Sequence, residues 1–132
     1  MTLQTVTVDQ AISAPPQRVW ERISTPAGIA QWWRPGNIAP VLGHEFTMEM
    51  GKWGNIACRI IAVEPGRRLA YTFGDFELHW TITPAERGCT LRLEHRGFDL
   101  SNPQHQFAFE NMGPGWRTTV LPRLAAGLLE AT

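Results

Sequence analysis

The sequence has few of the residues that build disulfide frameworks, metal clusters and nucleotide-binding loops. Its two cysteines, Cys58 and Cys89, lie far apart and outside any CxxC pair, so we interpret them as buried thiols that pack as small apolar groups. The four histidines show neither HxxxH nor HxH spacing, and the glycine-rich motifs of dinucleotide-binding and P-loop proteins do not occur. We therefore expect no metal ion and no cofactor.

Net charge and long apolar runs are also lacking. Twelve Lys and Arg side chains balance twelve Asp and Glu side chains, which leaves no basic surplus to attract nucleic acid. No segment approaches the roughly 20 apolar residues that cross a bilayer, and the N-terminal segment lacks the features of a signal peptide. We expect a cytoplasmic protein without membrane insertion. The length of 132 residues and the 43% hydrophobic content predict a single domain over 1–132.

The spacing of apolar residues in the first third predicts one strand and two short helices. Alternation from Val6 to Ile12 indicates the strand. Helical spacing follows over 15–24 and again over 26–34, where Thr25 has the character of an N-cap before a proline. The stretch 35–43 holds two prolines and two glycines without a clear period, which predicts a loop.

The rest of the chain predicts five strands and a long helix. Apolar residues recur at every second position over 43–95, with turn residues between the runs, as in an antiparallel meander. Helical spacing over 115–130 indicates an amphipathic helix that Pro122 should bend. A further helical stretch over 102–111 is expected to end at the turn 113–115. The sequence thus predicts an α+β fold of about six strands with a helix over the apolar face.

Short motifs occur along almost the whole chain: Ile12-Ser13-Ala14-Pro15 with Val19-Trp20, Gln31-Trp32-Trp33 with Pro35, Glu64-Pro65 with Arg68-Leu69 and Tyr71-Thr72, Trp80-Thr81-Ile82-Thr83-Pro84, Gly88 with Thr90-Leu91, Glu94-His95 with Gly97-Phe98, and Gly115-Trp116. In this order they resemble the SRPBCC (START-like) superfamily and, within it, the family named for activators of the heat-shock-protein-ninety ATPase. The resemblance implies a helix-grip fold with a cavity between the curved sheet and the long helix. It implies little about activity, because one fold hosts many functions. The short stretch 50–56 is expected to leave the cavity mouth more open than in relatives.

A set of apolar side chains is predicted to face the space between sheet and helix. Such a lining is typical of small-molecule sites, and methionines make it adaptable. A fully packed core is the alternative. The predicted ligand-binding residues are Phe46, Met48, Met50, Arg59, Tyr71, Phe73, Phe76, Trp80, His95 and Trp116.

Two polar residues in this set carry the chemical hypotheses. Alternation places His95 on the apolar face, where it is either a ligand contact and candidate acid or base, or a histidine bonded to a backbone group at the cavity rim. Alternation places His79 outward, and His44 and His105 fall in or near predicted loops. Arg59 interrupts an apolar strand; it either anchors an anion inside the cavity or lies on the outer face, and alternation does not decide between the two.

Three functions stay open from the sequence. The first is binding of a hydrophobic or aromatic small molecule, with Tyr71 and His95 as polar contacts. The second is a cyclase, dehydratase or hydrolase type of enzyme that uses His95, with Tyr71 or Arg59 at an oxyanion. The third is a co-chaperone-like interaction role, which an exposed patch around Trp32, Trp33 and Trp53 would favour. The same patch could mediate a homodimer.

Overall fold

The structure, a computed structural model, describes residues 3–51 and 54–130. The predicted order of one strand, two short helices, five strands and a long helical region is confirmed, and the fold is α+β. The elements are β1 (Gln4–Ile12), α1 (Pro16–Ser24), α2 (Pro26–Trp32), β2 (Glu45–Glu49), β3 (Asn55–Glu64), β4 (Arg68–Phe73), β5 (Phe76–Ala85), β6 (Gly88–Phe98), α3 (Pro103–Gly115), a π-helical segment (Trp116–Val120) and α4 (Leu121–Glu130).

The six strands form one curved antiparallel sheet in the order β1-β6-β5-β4-β3-β2. Side chains alternate between the two faces, and the inner face packs against the helices in one apolar cluster that includes Leu121, Leu124 and Leu128 of α4. Across that face, Tyr71 pairs with Leu78, and Leu78 pairs with His95. The inner face thus brings β4, β5 and β6 side chains into one row beneath the C-terminal helical region.

The two short helices are joined by the predicted cap. Thr25 Oγ1 accepts a hydrogen bond from the Gly28 backbone N–H at 3.0 Å. Trp32, at the end of α2, is buried and its Nε1 donates to the Arg22 carbonyl at 2.8 Å. Trp32 therefore does not contribute to the exposed patch that would favour an interaction role, because its indole is buried. Trp53 and part of the predicted 50–56 connection lie outside the described residues.

The C-terminal helical region differs from its prediction. Gly113, Pro114 and Gly115 do not interrupt it, because the chain continues from α3 through the π-helical segment into α4. The π-helical segment is a wide turn, in which the Leu121 N–H donates a hydrogen bond to the Trp116 carbonyl oxygen five residues earlier. Pro122 follows immediately, and the wide turn gives room for a proline ring that would otherwise strike the preceding turn.

The outer face of the sheet carries ion pairs. Arg92 makes two hydrogen bonds to the Asp9 carboxylate, at 2.7 and 3.0 Å, and Arg96 donates to Glu94 at 2.6 Å. These pairs are substantially exposed to solvent, so each contributes little to stability.

None of the helices in the described ranges is both long and apolar enough to cross a membrane.

Candidate functional site

The inner face gathers nearly all of the predicted ligand-binding side chains. They are contributed by β2 and the residue that follows it, by β4, β5 and β6, and by the π-helical segment; all except His95 belong to one cluster of packed apolar groups. Those that are buried are Phe46, Met48, Met50, Tyr71, Phe73, Trp80, His95 and Trp116, and Phe76 is half-buried. Whether they bind a ligand stays a prediction.

Arg59 does not belong to this group. Its side chain is exposed, and its strand partners are Glu45 on β2 and Thr72 on β4. Of the two options left open for Arg59, the inward one is wrong, because regular alternation places Arg59 outward between the buried Cys58 and Ile60. The same alternation leaves Ile61 exposed, and a bulge after Ile60 then shifts the pairing of β3 with β4.

His95 lies inside a shell of aromatic rings. Its side chain is fully buried, with 0% exposure. The ring centroids of Phe98, Phe76, Trp116 and Phe73 lie 4.5, 5.1, 6.2 and 6.3 Å from its own. The surroundings offer it edges and faces of rings, which are poor partners for a polar nitrogen.

One hydrogen bond fixes how His95 carries its proton. Trp116 Nε1 donates to His95 Nδ1 at 3.1 Å. An indole N–H can only donate, so Nδ1 must be the unprotonated acceptor. In the neutral imidazole the hydrogen then resides on Nε2. The alternative of a histidine bonded to a backbone group is wrong, since its partner is an indole.

The Nε2 atom of His95 has no hydrogen-bond partner within the described part of the chain. It is the unprotonated ring nitrogen, Nδ1, that is satisfied, so the structure leaves a buried N–H donor without an acceptor. A buried polar group in this state carries an unrecovered desolvation cost. Burial also lowers the pKa of His95 to about 3, which keeps the ring neutral at physiological pH.

A second indole bonds to Tyr71 further along the same face. Trp80 Nε1 donates to the Tyr71 hydroxyl oxygen at 3.1 Å, and both side chains are fully buried. The ring of Phe46 meets Tyr71 edge-on with centroids 5.2 Å apart. Burial raises the pKa of Tyr71, so its phenol stays protonated.

Removing this hydroxyl is expected to destabilise the protein. Tyr71→Phe leaves the Trp80 N–H buried without an acceptor, which costs about 1–3 kcal/mol of unfolding free energy. Urea denaturation measures the loss. Adding Trp80→Phe removes the stranded donor, so Tyr71→Phe should cost less in the Trp80→Phe background than alone. Equal costs in both backgrounds would show that the bond contributes nothing.

Trp33 covers the interior on the side of α2. It is half-buried, and its ring lies 4.9 Å from Trp116 and 5.5 Å from Phe73, measured between centroids. Both of those rings in turn contact His95. Trp33 therefore lies between solvent and the rings that enclose His95. The sequence analysis named Trp33 only in the exposed patch that would favour an interaction role, and the Trp32-Trp33 pair alone does not reveal which ring turns inward.

Phe98 is a neighbour of His95 that the sequence analysis did not place in the site. The alternation of β6 is broken at Gly97, where φ is +101°, and Phe98 then returns to the interior against His95. A glycine two positions after an inward histidine is the only signal of this irregularity in the sequence.

The other three histidines have partners. His79 lies on the outer face as predicted, but it is buried there, with Nε2 2.8 Å from Glu77 Oε1. His44 stacks on Phe46 and its Nε2 lies 2.9 Å from the Asn37 carbonyl oxygen. His105 falls in the first turn of α3 rather than in a loop, and its Nδ1 accepts from the Asp99 backbone N–H at 3.1 Å.

Both cysteines are free, buried thiols. Burial raises the pKa of the Cys58 thiol to about 12 and also raises that of Cys89, so both stay protonated, as expected for packing thiols. No group of three or more potential metal ligands converges in the described residues. A pocket of about 650 Å³ opens to solvent between α2 and β2, away from His95, and there Asn37 Oδ1 already accepts from the Thr47 N–H.

Comparison with known proteins agrees with this architecture. Residues 13–128 match the family described as "Activator of Hsp90 ATPase homolog 1-like protein". The chain belongs to this family. Among solved structures, protein MLL2253 from Mesorhizobium loti is 30% identical over 98% of both chains, with a TM-score of 0.86. No match was found among curated proteins.

More distant members of this fold extend the comparison. Protein BH1534 from Bacillus halodurans is 23% identical, with a TM-score of 0.80 over 96% of this chain and 98% of its own. DynU16, a protein in the dynemicin biosynthetic locus, is 24% identical with a TM-score of 0.81. The match covers 97% of this chain and 48% of DynU16. At these identities the likeness concerns the fold alone.

Proposed function

We propose that this family member binds a hydrophobic or aromatic small molecule between the sheet and the C-terminal helical region. The observation that carries the proposal is the buried Nε2 of His95, which lacks a partner in the described residues inside a shell of aromatic rings. Leaving such a group unsatisfied costs stability, and a bound molecule can supply the missing contact. An apolar lining with few polar groups is what small-molecule sites share.

Binding requires the interior rings to move, because they pack against one another. Three half-buried side chains at the margin of the cluster are suited to this: Trp33, Phe76 and Met112. Trp33 ends α2 and contacts Phe73 and Trp116, so its displacement exposes rings that reach His95. The methionine can repack at small cost because its side chain is unbranched.

The enzyme alternative receives less support from the same geometry. Acid-base catalysis by His95 requires an available lone pair or a titration near neutral pH. Its Nδ1 lone pair is occupied by the Trp116 N–H, and burial lowers its pKa to about 3. Arg59 is exposed on the outer face, so it is not placed to stabilise an oxyanion beside His95.

The interaction alternative depended on an exposed tryptophan patch. Trp32 is buried and Trp33 packs its ring against Phe73 and Trp116. The geometry therefore favours an inward role for Trp33. A homodimer and a cytoplasmic location stay predictions.

Native mass spectrometry of protein purified from its own host tests the proposal first. We expect a retained small molecule, or saturable tryptophan-fluorescence changes on titration with hydrophobic and aromatic metabolites. No retained mass and no fluorescence change across the panel would contradict ligand binding.

Trp33→Ala tests the predicted route to the site. Removing the covering ring is expected to change the apparent affinity or the association rate of any ligand found, by roughly tenfold if the ring must be displaced. Trp20→Ala is the matched control, because Trp20 is also half-buried against the cluster but lies on α1. Equal effects of the two substitutions on ligand association, measured by stopped-flow fluorescence, would contradict this route.

A further inference from the structure

Resting on the proposed function, the bonding of His95 points to a more specific class of ligand. We infer that the ligand is a neutral, largely apolar molecule that presents a hydrogen-bond acceptor, such as a ketone or ester carbonyl oxygen, to the Nε2–H of His95. The preference has a direction because Trp116 Nε1 can only donate, which assigns the hydrogen of the neutral ring to Nε2. A ligand whose only polar group is a pure donor, such as an indole or pyrrole N–H, meets another donor there.

Because Nε2 is buried, the site should bind a ligand that carries a hydrogen-bond acceptor more tightly than an analogue that lacks one. A site built around a buried donor rejects analogues that lack the acceptor, because the donor is then left unpaired. Here the imidazole that carries the donor lies among the rings of Phe73, Phe76 and Phe98, which offer no strong acceptor. The acceptor for the Nε2–H of His95 must therefore come from the ligand.

The same surroundings favour a neutral acceptor over an anion. The row across the inner face from Tyr71 through Leu78 to His95 holds no cationic side chain, and Arg59 lies on the outer face. A carboxylate placed beside His95 would lose its hydration without gaining a counter-charge. A carbonyl oxygen accepts the same hydrogen bond without that cost.

Three probes of similar size test the inference in calorimetric titrations of the full chain. They are 2-acetylnaphthalene, which has a neutral carbonyl, 2-isopropenylnaphthalene, which has the same shape without an acceptor, and 2-naphthoate, which is anionic. We expect the ketone to bind about tenfold more tightly than the alkene, and naphthoate to bind more weakly than the ketone. In His95→Phe the ketone and the alkene should bind with equal affinity. His79→Phe, the same change on the outer face, should keep the wild-type preference.

The outcomes separate the inference from the proposed function. Equal binding of ketone and alkene to the wild-type chain overturns the acceptor preference while leaving ligand binding supported. Tighter binding of naphthoate than of the ketone overturns the requirement for neutrality. Binding of none of the three probes counts against the proposed function itself and overturns the inference with it. The wild-type comparison needs no variant, so a failure of His95→Phe to fold does not affect it.

Discussion

Acidification from about pH 6.5 to pH 4.5 is expected to lower the free energy of unfolding by about 2 kcal/mol through His95 alone. Burial lowers the folded-state pKa of this ring from 6.5 to about 3. The unfolded chain therefore takes up a proton over this interval while the folded chain does not. The stabilisation is complete above the unfolded pKa and is lost as the pH falls through the window between 6.5 and about 3.

Urea denaturation at a series of pH values measures this slope, and two variants separate its sources. His95→Phe should remove most of the loss above about pH 4.5, whatever its own stability at neutral pH. Asp9→Asn should keep the wild-type slope in that range, because the hydrogen bond from Arg92 lowers the pKa of Asp9 below its ordinary value of 3.8. An unchanged slope in His95→Phe would show that His95 does not remain neutral and buried.

Gly88→Ala is expected to destabilise the fold by about 3–5 kcal/mol. Gly88 begins β6 with φ at +137°, a conformation that side chains disfavour. An added Cβ would lie 2.1 Å from the Ile12 carbonyl oxygen, and backbone cannot withdraw as a flexible side chain can. The substitution therefore forces apart the β1 and β6 ends that close this edge of the inner face.

Gly66→Ala is the matched control for that prediction. Gly66 also has a positive φ, of +76°, but nothing lies within 4 Å of an added Cβ. Its cost should be limited to backbone strain of about 1 kcal/mol. Thermal unfolding of both variants checks the difference, and equal melting temperatures would contradict a close backbone approach at Gly88.

The strands were predictable because their side chains obey a strict period of two. Leu91, Leu93 and His95 alternate on β6, and the structure places all three inside. Arg59 could not be assigned, since Ile60 and Ile61 are both apolar and fit either phase of the alternation, and the register of β3 shifts at a bulge after Ile60. A bulge is set by pairing between strands, and a single sequence does not display that pairing.

The C-terminal region was predicted to be helical, but it was predicted as two separate stretches, whereas the structure has one continuous helical region. Local rules treat Gly113-Pro114-Gly115 as a break, whereas packing carries the helix through it. Gly113 is buried against β1, where an added Cβ would lie 3.5 Å from the Val6 methyl groups, an ordinary van der Waals distance. That tertiary contact is invisible to local propensity.

Most members of the candidate site were predictable from the sequence, whereas Phe98, the inward role of Trp33 and the chemistry of His95 were not. Alternation identified His95 and the surrounding aromatics, but the proton position on His95 depends on Trp116, which reaches it from the helical region. The role of Trp33 likewise depends on how α2 ends beside the sheet. Both follow from contacts between elements far apart in sequence.

Nitrogen-15 NMR of the His95 ring, with and without 2-acetylnaphthalene, tests the central claim most directly. We expect an unprotonated Nδ1 and a protonated Nε2 in the free protein, and a saturable shift of the Nε2–H resonance as the ketone binds. A hydrogen on Nδ1, or a ketone titration that leaves the Nε2–H resonance unchanged, would contradict the account.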